Sequence, residues 1–481
     1  MPKKIRIILA IFAPETDLTM LYIGIIILLE FIALTAYMMW KRYSPQGVLF
    51  INGLIMITLA YLAGISYPEV QESAGSAYLD IFGCISKAFS SSLVNGGLMI
   101  LFIGGYVSYM RKIRANDALI RVAMRPLSLL YKHPYIAVTA LIPLGQILFI
   151  CIPSATGLAF LLAGTLMPLL SRIGIPRATA LSAIALCTIF DIGPGSANSM
   201  YAASLAGVSY SHYVFGYQMG MVVPLTLVLM VTFFFTSRWF DRRSGLAQST
   251  IREGSCPEVR ITKDYPGDFF AILPLLPLLL MIVSGFTDNV LNFPVELDIT
   301  VSIFISLLIS MLFNLIRSRS IEQAFRSLKS FWDGMGSTFS GIITLIACAE
   351  IFSQGLISLG AVEGIVELSS AIGFQWQFIG LLITLAIFIV AFITGSSNAI
   401  FFSFGSMMPD IASKLGAQSV SMILPMQLSA SIGRSVSPIA GVIIAISKIG
   451  EVSVMEIIKR NMPPALVTLL AMCLYNCLML A

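Results

Sequence analysis

Long runs of apolar residues dominate the chain, and their lengths restrict its fold more than any other feature. One bilayer crossing takes ~20 apolar residues in a helix, because the hydrocarbon layer is ~30 Å thick. Runs of this kind or slightly shorter lie at 21–40, 47–65, 97–110, 134–152, 213–236, 268–286, 298–316, 338–357, 376–393 and 464–480. The sequence therefore predicts an all-α polytopic membrane protein.

The composition excludes several other classes of protein. Charged residues make up only 11% of the 481 residues, whereas hydrophobic types make up 57%. Soluble domains carry ~25% charged residues, so this chain cannot cover the surface of a soluble enzyme. Its apolar content excludes a disordered chain, and its dispersed net charge of +5 excludes a nucleic-acid binder. Residues 1–20 are basic and then briefly apolar, and we interpret them as an interfacial leader.

The chain repeats itself at a nearly constant spacing. SATGLAFLLAGTLMPLLSRIG at 154–174 aligns with GSSNAIFFSFGSMMPDIASKLG at 395–416, and Pro194 matches Pro438. Such self-similarity indicates a duplicated unit. The most polar segment, 237–266, separates the two copies. We predict a first transmembrane repeat, a cytoplasmic linker and a second transmembrane repeat, at 21–236, 237–267 and 268–481.

Charge indicates that the two copies are inverted. The loop at 111–133 carries six basic residues, whereas its counterpart at 358–375 carries none and has two glutamates. Cytoplasmic loops are enriched in Lys and Arg, so the first loop is expected inside and the second outside. Segments 78–92, 116–130 and 320–335 are amphipathic, and we expect them to lie along the interface. Inverted repeats with broken helices are typical of secondary transporters.

Four interrupted segments carry the candidate site, two in each copy: PSATG at 153–157, DIGPGSANS at 191–199, TGSSNA at 394–399 and SIGRSVSPIAG at 431–441. Non-helical backbone persists at membrane depth only where it is buried or lines a cavity. We expect broken helices and re-entrant hairpins here, whose N–H groups, hydroxyls and helix N-termini bind an anion such as a carboxylate. The alternative is that small residues only allow close helix packing. The candidate substrate-binding residues are Ser154, Thr156, Gly157, Gly193, Pro194, Gly195, Ser196, Asn198, Gly395, Ser396, Ser397, Asn398, Arg434, Ser435, Ser437 and Pro438.

Three charged residues within these apolar regions are candidates for function, because intramembrane charges are costly. Arg434 is expected to pair with a substrate carboxylate through its guanidinium fork, or else with a protein acid or the interface. Asp191 is a candidate for a coupling proton or cation, or else a helix cap. Glu350 is a further candidate for cation coupling.

Other activities lack their motifs. The seven cysteines and two histidines have no metal-ligand spacing, and no P-loop, GxSxG or HExxH occurs. We therefore expect no enzyme, no resident metal and no cofactor, with Na⁺ or H⁺ as the coupling ion. The expected partners are a small carboxylate substrate and membrane lipid, without nucleic acid, and a homodimer is compatible with the sequence. A channel and a ligand sensor remain alternatives.

Several motifs resemble those of a known family. GVLFINGLIMI at 47–57, GGYVSYMRKIRANDALI at 104–120, SATG at 154–157 and LSASIGRSVSPIAGVIIAISKI at 428–449 resemble the DcuC family of anaerobic C4-dicarboxylate transporters. The resemblance, densest at 394–460, places the chain in the wider ion-transporter superfamily. It implies a secondary transporter that takes up, exchanges or expels fumarate, succinate, malate or aspartate across the bacterial inner membrane. It also implies that a hairpin unit moves against a scaffold.

Overall fold

The computed structural model describes residues 30–65, 76–125, 133–193, 195–243, 267–291, 299–372 and 375–479. The predicted leader, most of the predicted linker and Pro194 lie outside these residues. Within them the regular structure is helical, without a strand. Seven of the described helices are long and apolar enough to cross a membrane.

Twenty-one α-helices follow one another in the described residues. The first half of the chain holds α1 (30–40), α2 (Pro45–Leu62), α3 (Ala77–Ser92), α4 (Leu98–Lys112), α5 (Ala115–Met124), α6 (Pro134–Cys151), α7 (Ala155–Arg172), α8 (Arg177–Leu186), α9 (Ala197–Ala206) and α10 (Met219–Arg243). The second half holds α11 (Leu276–Leu291), α12 (Ile299–Ser318), α13 (Ile321–Thr338), α14 (Thr344–Ser358), α15 (Ala361–Ile372), α16 (Trp376–Thr394), α17 (Ser397–Gly405), α18 (Met408–Lys414), α19 (Ser419–Ser435), α20 (Gly441–Gly450) and α21 (Val454–Met479).

The order of these elements occurs twice. In each half a long helix containing a π-helical turn is followed by a helical hairpin, then by a helix interrupted by irregular backbone, then by a long helix. The hairpins are α6–α7 and α16–α18, and the broken helices are α8–α9 and α19–α20. Duplication of one unit stays a prediction from the sequence.

The two long helices with π turns pack antiparallel to each other. The first consists of α3, the turn Leu93–Gly97 and α4, and the second of α13, the turn Phe339–Ile343 and α14. Gly104 of α4 faces Thr338 at the end of α13, and a Cβ built on Gly104 would lie only 1.8 Å from the Thr338 hydroxyl. Toward the other end, the Ser92 hydroxyl reaches Glu350 of α14 over 3.1 Å. If the two halves are inverted, corresponding helices must run antiparallel, as these two do. Inversion of the complete repeats stays a prediction.

Segments 78–92 and 320–335, which are expected to lie along the interface, belong to longer helices in the structure. Both continue through their π turns into apolar helices, and Ile321–Ser358 forms one 38-residue candidate span. Phe331 is fully buried because α13 packs against α4. The apolar face of this segment therefore packs against another helix, and its interfacial position stays a prediction. Segment 116–130 contains the separate helix α5, which packs against Asp268–Leu275.

Serine side chains cap the N-termini of the helices that follow three of the four breaks. The hydroxyl of Ser154 accepts a hydrogen bond from Gly157 N over 3.3 Å, and that of Ser396 accepts one from Ala399 N over 3.3 Å. Ser196 caps α9 in the same way. A serine cap satisfies one of the free N–H groups of a helix start, which lowers the cost of restarting a helix inside the protein.

Candidate functional site

Two neighbouring cavities lie where the breaks of the two halves meet. The central cavity has a volume of about 220 Å³ and is bordered by the tips of both hairpins and by both broken helices. A second cavity of about 440 Å³ extends from it between α4 and α13, as far as Arg111 and Asp333. Pro153, Asp191 and Asn398 border both cavities.

Three helices begin at the wall of the central cavity. Ala155 and Thr156 belong to the first turn of α7, Ser397 to that of α17, and Gly441 to that of α20. The first N–H groups of a helix have no partner within the helix, and the helix dipole adds a partial positive charge there. Three such termini around one space favour an anion.

Arg434 contributes a full positive charge to the same wall. One of its Nη atoms donates to the backbone oxygen of Thr188 over 2.5 Å, and its buried Nε has no hydrogen-bond partner in the described residues. Asp191 interacts with Arg434 electrostatically, although their side chains form no hydrogen bond or ion pair in the part of the chain that the structure describes. Asp191 is therefore a charged neighbour of Arg434 without a direct contact, and the predicted alternatives of a protein acid and an interfacial position stay predictions.

Asp191 is the acid that borders the cavity. Its Oδ2 accepts a hydrogen bond from Asn198 Nδ2 over 2.9 Å. The predicted capping alternative is wrong, because the cap of α9 is Ser196. Asp191 precedes Arg434 by 243 residues, close to the spacing of 244 between Pro194 and Pro438. The two broken helices thus carry opposite charges at positions that differ by one residue from the repeat spacing.

The remaining predicted residues divide into two groups. Ser154, Gly195 and Ser196 border the second cavity, Gly395 and Ser396 border the central one, and Asn398 accepts a hydrogen bond from Asn198. The others support the breaks without lining either cavity. Gly157 lies against the capping residue Ser154, and Gly193 adopts a left-handed φ of +82°. The Ser435 hydroxyl donates a hydrogen bond to the backbone oxygen of Ser431, and Ser437 and Pro438 form the turn before α20.

Glu350 lies apart from both cavities. Its carboxylate accepts hydrogen bonds from the hydroxyls of Ser91 and Ser92 over 2.9 and 3.1 Å. This contact joins α14 to α3, next to the π turn at 93–97. These hydrogen bonds do not connect Glu350, a predicted coupling residue, to Arg434 or Asp191.

Two buried glutamines bind the irregular backbone between α8 and α9. The sequence analysis did not identify them as candidates. Gln427 Nε2 donates to the backbone oxygen of Asp191 over 3.0 Å, and Gln218 Oε1 accepts from Gly193 N over 3.2 Å. Tyr213 donates to Gln427 Oε1 over 2.7 Å. A lone amide inside an apolar segment is a usable signal, because a buried amide needs partners.

Comparisons with known proteins agree with this architecture. A family described as the C4-dicarboxylate anaerobic carrier, DcuC, matches residues 23–481. The chain is 27% identical over 451 residues to the anaerobic C4-dicarboxylate transporter DcuC of Escherichia coli (strain K12), covering 93% of this chain and 94% of that protein.

Two solved transporters share the fold. The Alcanivorax borkumensis YdaH transporter has a TM-score of 0.60 at 13% identity, over 90% of this chain and 97% of that one. Neisseria gonorrhoeae MtrF, described within a class of antimetabolite efflux pumps, has a TM-score of 0.61 at 11% identity, over 91% and 95%. The protein is a multi-pass membrane protein, and the chain belongs to the DcuC family of C4-dicarboxylate anaerobic carriers.

Proposed function

We propose that this protein is a secondary transporter of C4-dicarboxylates such as fumarate, succinate, malate and aspartate. The observation that carries the proposal is the convergence of three helix N-termini and Arg434 on one cavity of about 220 Å³. This volume is below the ~300–1,000 Å³ of pockets for drug-sized ligands, and it suits a small metabolite. The names of the relatives supply the substrate class.

In the proposed complex, one carboxylate accepts hydrogen bonds from the Arg434 guanidinium. Arg434 borders the cavity, and among the described residues only one of its Nη atoms is bound within the protein, to the backbone oxygen of Thr188. The other carboxylate lies at the N-termini of α7 and α17, where free N–H groups and the hydroxyls of Thr156 and Ser397 are donors. Binding would thus span both halves of the chain, which suits a carrier whose hairpins move against the rest of the protein.

Asp191 supplies the proposed coupling. A dianion next to an ionised Asp191 is repelled, whereas a proton or Na⁺ at that carboxylate removes the repulsion. Substrate and cation would therefore bind together, and net transport would follow an ion gradient. The proposed setting is the bacterial inner membrane, with exchange, uptake and efflux as modes of the same cycle, and with no cofactor beyond the coupling ion.

Counterflow in proteoliposomes tests the proposal. Vesicles are loaded with unlabelled fumarate, malate, aspartate, a monocarboxylate or a tricarboxylate, and entry of labelled succinate is followed. We expect transient accumulation with the C4 compounds only. Counterflow driven only by another carboxylate or an amino acid would assign that substrate class instead. Rapid equilibration without transient accumulation would indicate a channel.

A further inference from the structure

A further cavity lies away from the proposed substrate site, at the C-terminal end of α10. It has a volume of about 640 Å³ and lies between α10 and α21. Its wall includes Phe235, Arg238, Trp239, Phe240, Arg242 and Pro463. None of the residues that line it borders the two cavities at the breaks.

Its lining combines exposed aromatic rings with two guanidinium groups. Phe235 and Trp239 are 65% and 53% exposed, and Arg242 is exposed beside them. Arg238 is held in position by the rings of Tyr135 and Phe234, at 5.5 and 5.3 Å from its guanidinium carbon. The cavity is therefore lined by apolar rings and by two positively charged arginines, without an acidic side chain among the described residues of its wall.

The position along α10 fits the membrane interface. The helix runs through apolar residues and ends in Trp239, Arg242 and Arg243. Trp is enriched at membrane interfaces, and basic residues at the cytoplasmic one. Anionic phospholipids give the cytoplasmic leaflet a negative surface, and basic pockets between transmembrane helices bind their headgroups.

The cavity also contacts a buried ion pair. The ring of Phe240 lies 5.6 Å from the guanidinium carbon of Arg460, which pairs with Asp241 over 2.5 Å. Asp241 accepts hydrogen bonds from Tyr135 at the start of the first hairpin and from Thr179 of α8. A ligand in the cavity would therefore touch residues that join α10 and α21 to the first hairpin and the first broken helix.

We propose that this cavity binds one anionic phospholipid, with the phosphate between Arg238 and Arg242 and the acyl chains along Phe235 and Trp239. The lipid completes the packing between α10 and α21. The proposal does not depend on the substrate, because binding is measured without transport.

Native mass spectrometry of the purified protein tests it, with phosphatidylglycerol or phosphatidylcholine added in separate samples. We expect preferential retention of phosphatidylglycerol. Arg242→Gln should weaken this retention about fivefold, with a larger loss in the variant that also carries Arg238→Gln. Arg242→Lys, which keeps the charge, should retain most of it. Arg326→Gln is the matched control, because Arg326 is an exposed arginine elsewhere that pairs with Glu322, and it should leave retention unchanged.

Three results would overturn the proposal. The first is equal retention of the two lipids by the unmodified protein. The second is displacement of phosphatidylglycerol by glycerol phosphate at low concentration, which would assign the site to a free phosphate compound. The third is unchanged lipid retention in the Arg238→Gln/Arg242→Gln protein. If that protein also changes from dimer to monomer, the cavity belongs to a contact with a second copy. Folding of each variant is checked by its thermal unfolding in phosphatidylcholine nanodiscs.

Discussion

Asn198 Nδ2 donates a hydrogen bond to Asn398 Oδ1 over 3.1 Å, so the broken helix of the first half touches the hairpin tip of the second. Asn198 also donates to Asp191, and Asn398 borders both cavities. A change in the position of either element would alter this contact. The two asparagines therefore join Asp191, the candidate coupling residue, to the hairpin tip of the second half.

Removal of either asparagine should weaken substrate binding. Asn398→Ala and Asn198→Ala are each expected to raise KM several-fold, because one net hydrogen bond is worth about 0.5–1.5 kcal/mol. Since the residues are in contact, the double variant should lose less than the sum of the two effects. Initial rates of labelled succinate uptake give the KM values. Strict additivity would contradict a coupled role for the pair.

Asp191→Asn should separate exchange from ion-driven accumulation. The substitution removes the charge but keeps a hydrogen-bonding side chain beside Asn198. We expect counterflow to continue, whereas accumulation driven by an imposed proton or Na⁺ gradient should be lost. Asn198→Ala is the control, because it removes the partner of Asp191 and leaves the carboxylate. Gradient-driven accumulation by Asp191→Asn at the unmodified level would exclude Asp191 as the coupling residue.

Arg460 is expected to matter for stability. The Asp241–Arg460 pair is 0% and 1% exposed, and loss of one partner leaves a buried unpaired charge. Arg460→Ala should lower the free energy of unfolding by about 3–5 kcal/mol, as measured by detergent-denaturant titration. The exposed Arg326 pairs with Glu322, and Arg326→Ala should change stability little. Equal effects of the two substitutions would contradict this structural role.

Single-cysteine labelling tests the inversion of the halves. Lys112 and Glu367 are exposed and lie in the loops of opposite charge. In a background without native cysteines, Lys112→Cys should react only with a reagent that reaches the cytoplasm, and Glu367→Cys with one applied outside. Reaction of both from one side would show that the two halves share one orientation.

Local features of the sequence were enough to place the breaks. Serine caps and left-handed glycines act within a few residues, so Ser154, Ser396 and Gly395 could be recognised without any tertiary information. The antiparallel contact of α4 with α13 could not be predicted in this way. It depends on close approach of small residues that are far apart in the chain, such as Gly104 and Gly334.

The same distinction applies to the site. The residue types of the four clusters predicted an anion-binding environment, but not the partner of each side chain. Gln427 lies 236 residues from the Asp191 carbonyl that it contacts, and Arg434 lies 246 residues from Thr188. Such pairs arise only when the two halves pack together. A search for isolated amides in apolar segments would have found the glutamines, although not their partners.

The central claim is that Arg434 binds a substrate carboxylate, and the dissociation constant of labelled succinate for the purified protein tests it most directly. Arg434→Ala should raise the Kd by about one to two decades, since a hydrogen bond to a charged group is worth about 1.5–3 kcal/mol. The Kd of Arg434→Lys should lie between those of the unmodified protein and Arg434→Ala, because lysine keeps the charge and loses the fork. Thermal unfolding of both variants should stay near that of the unmodified protein. An unchanged Kd in Arg434→Ala would contradict the account, as would a loss of stability and binding that Asp191→Asn restores.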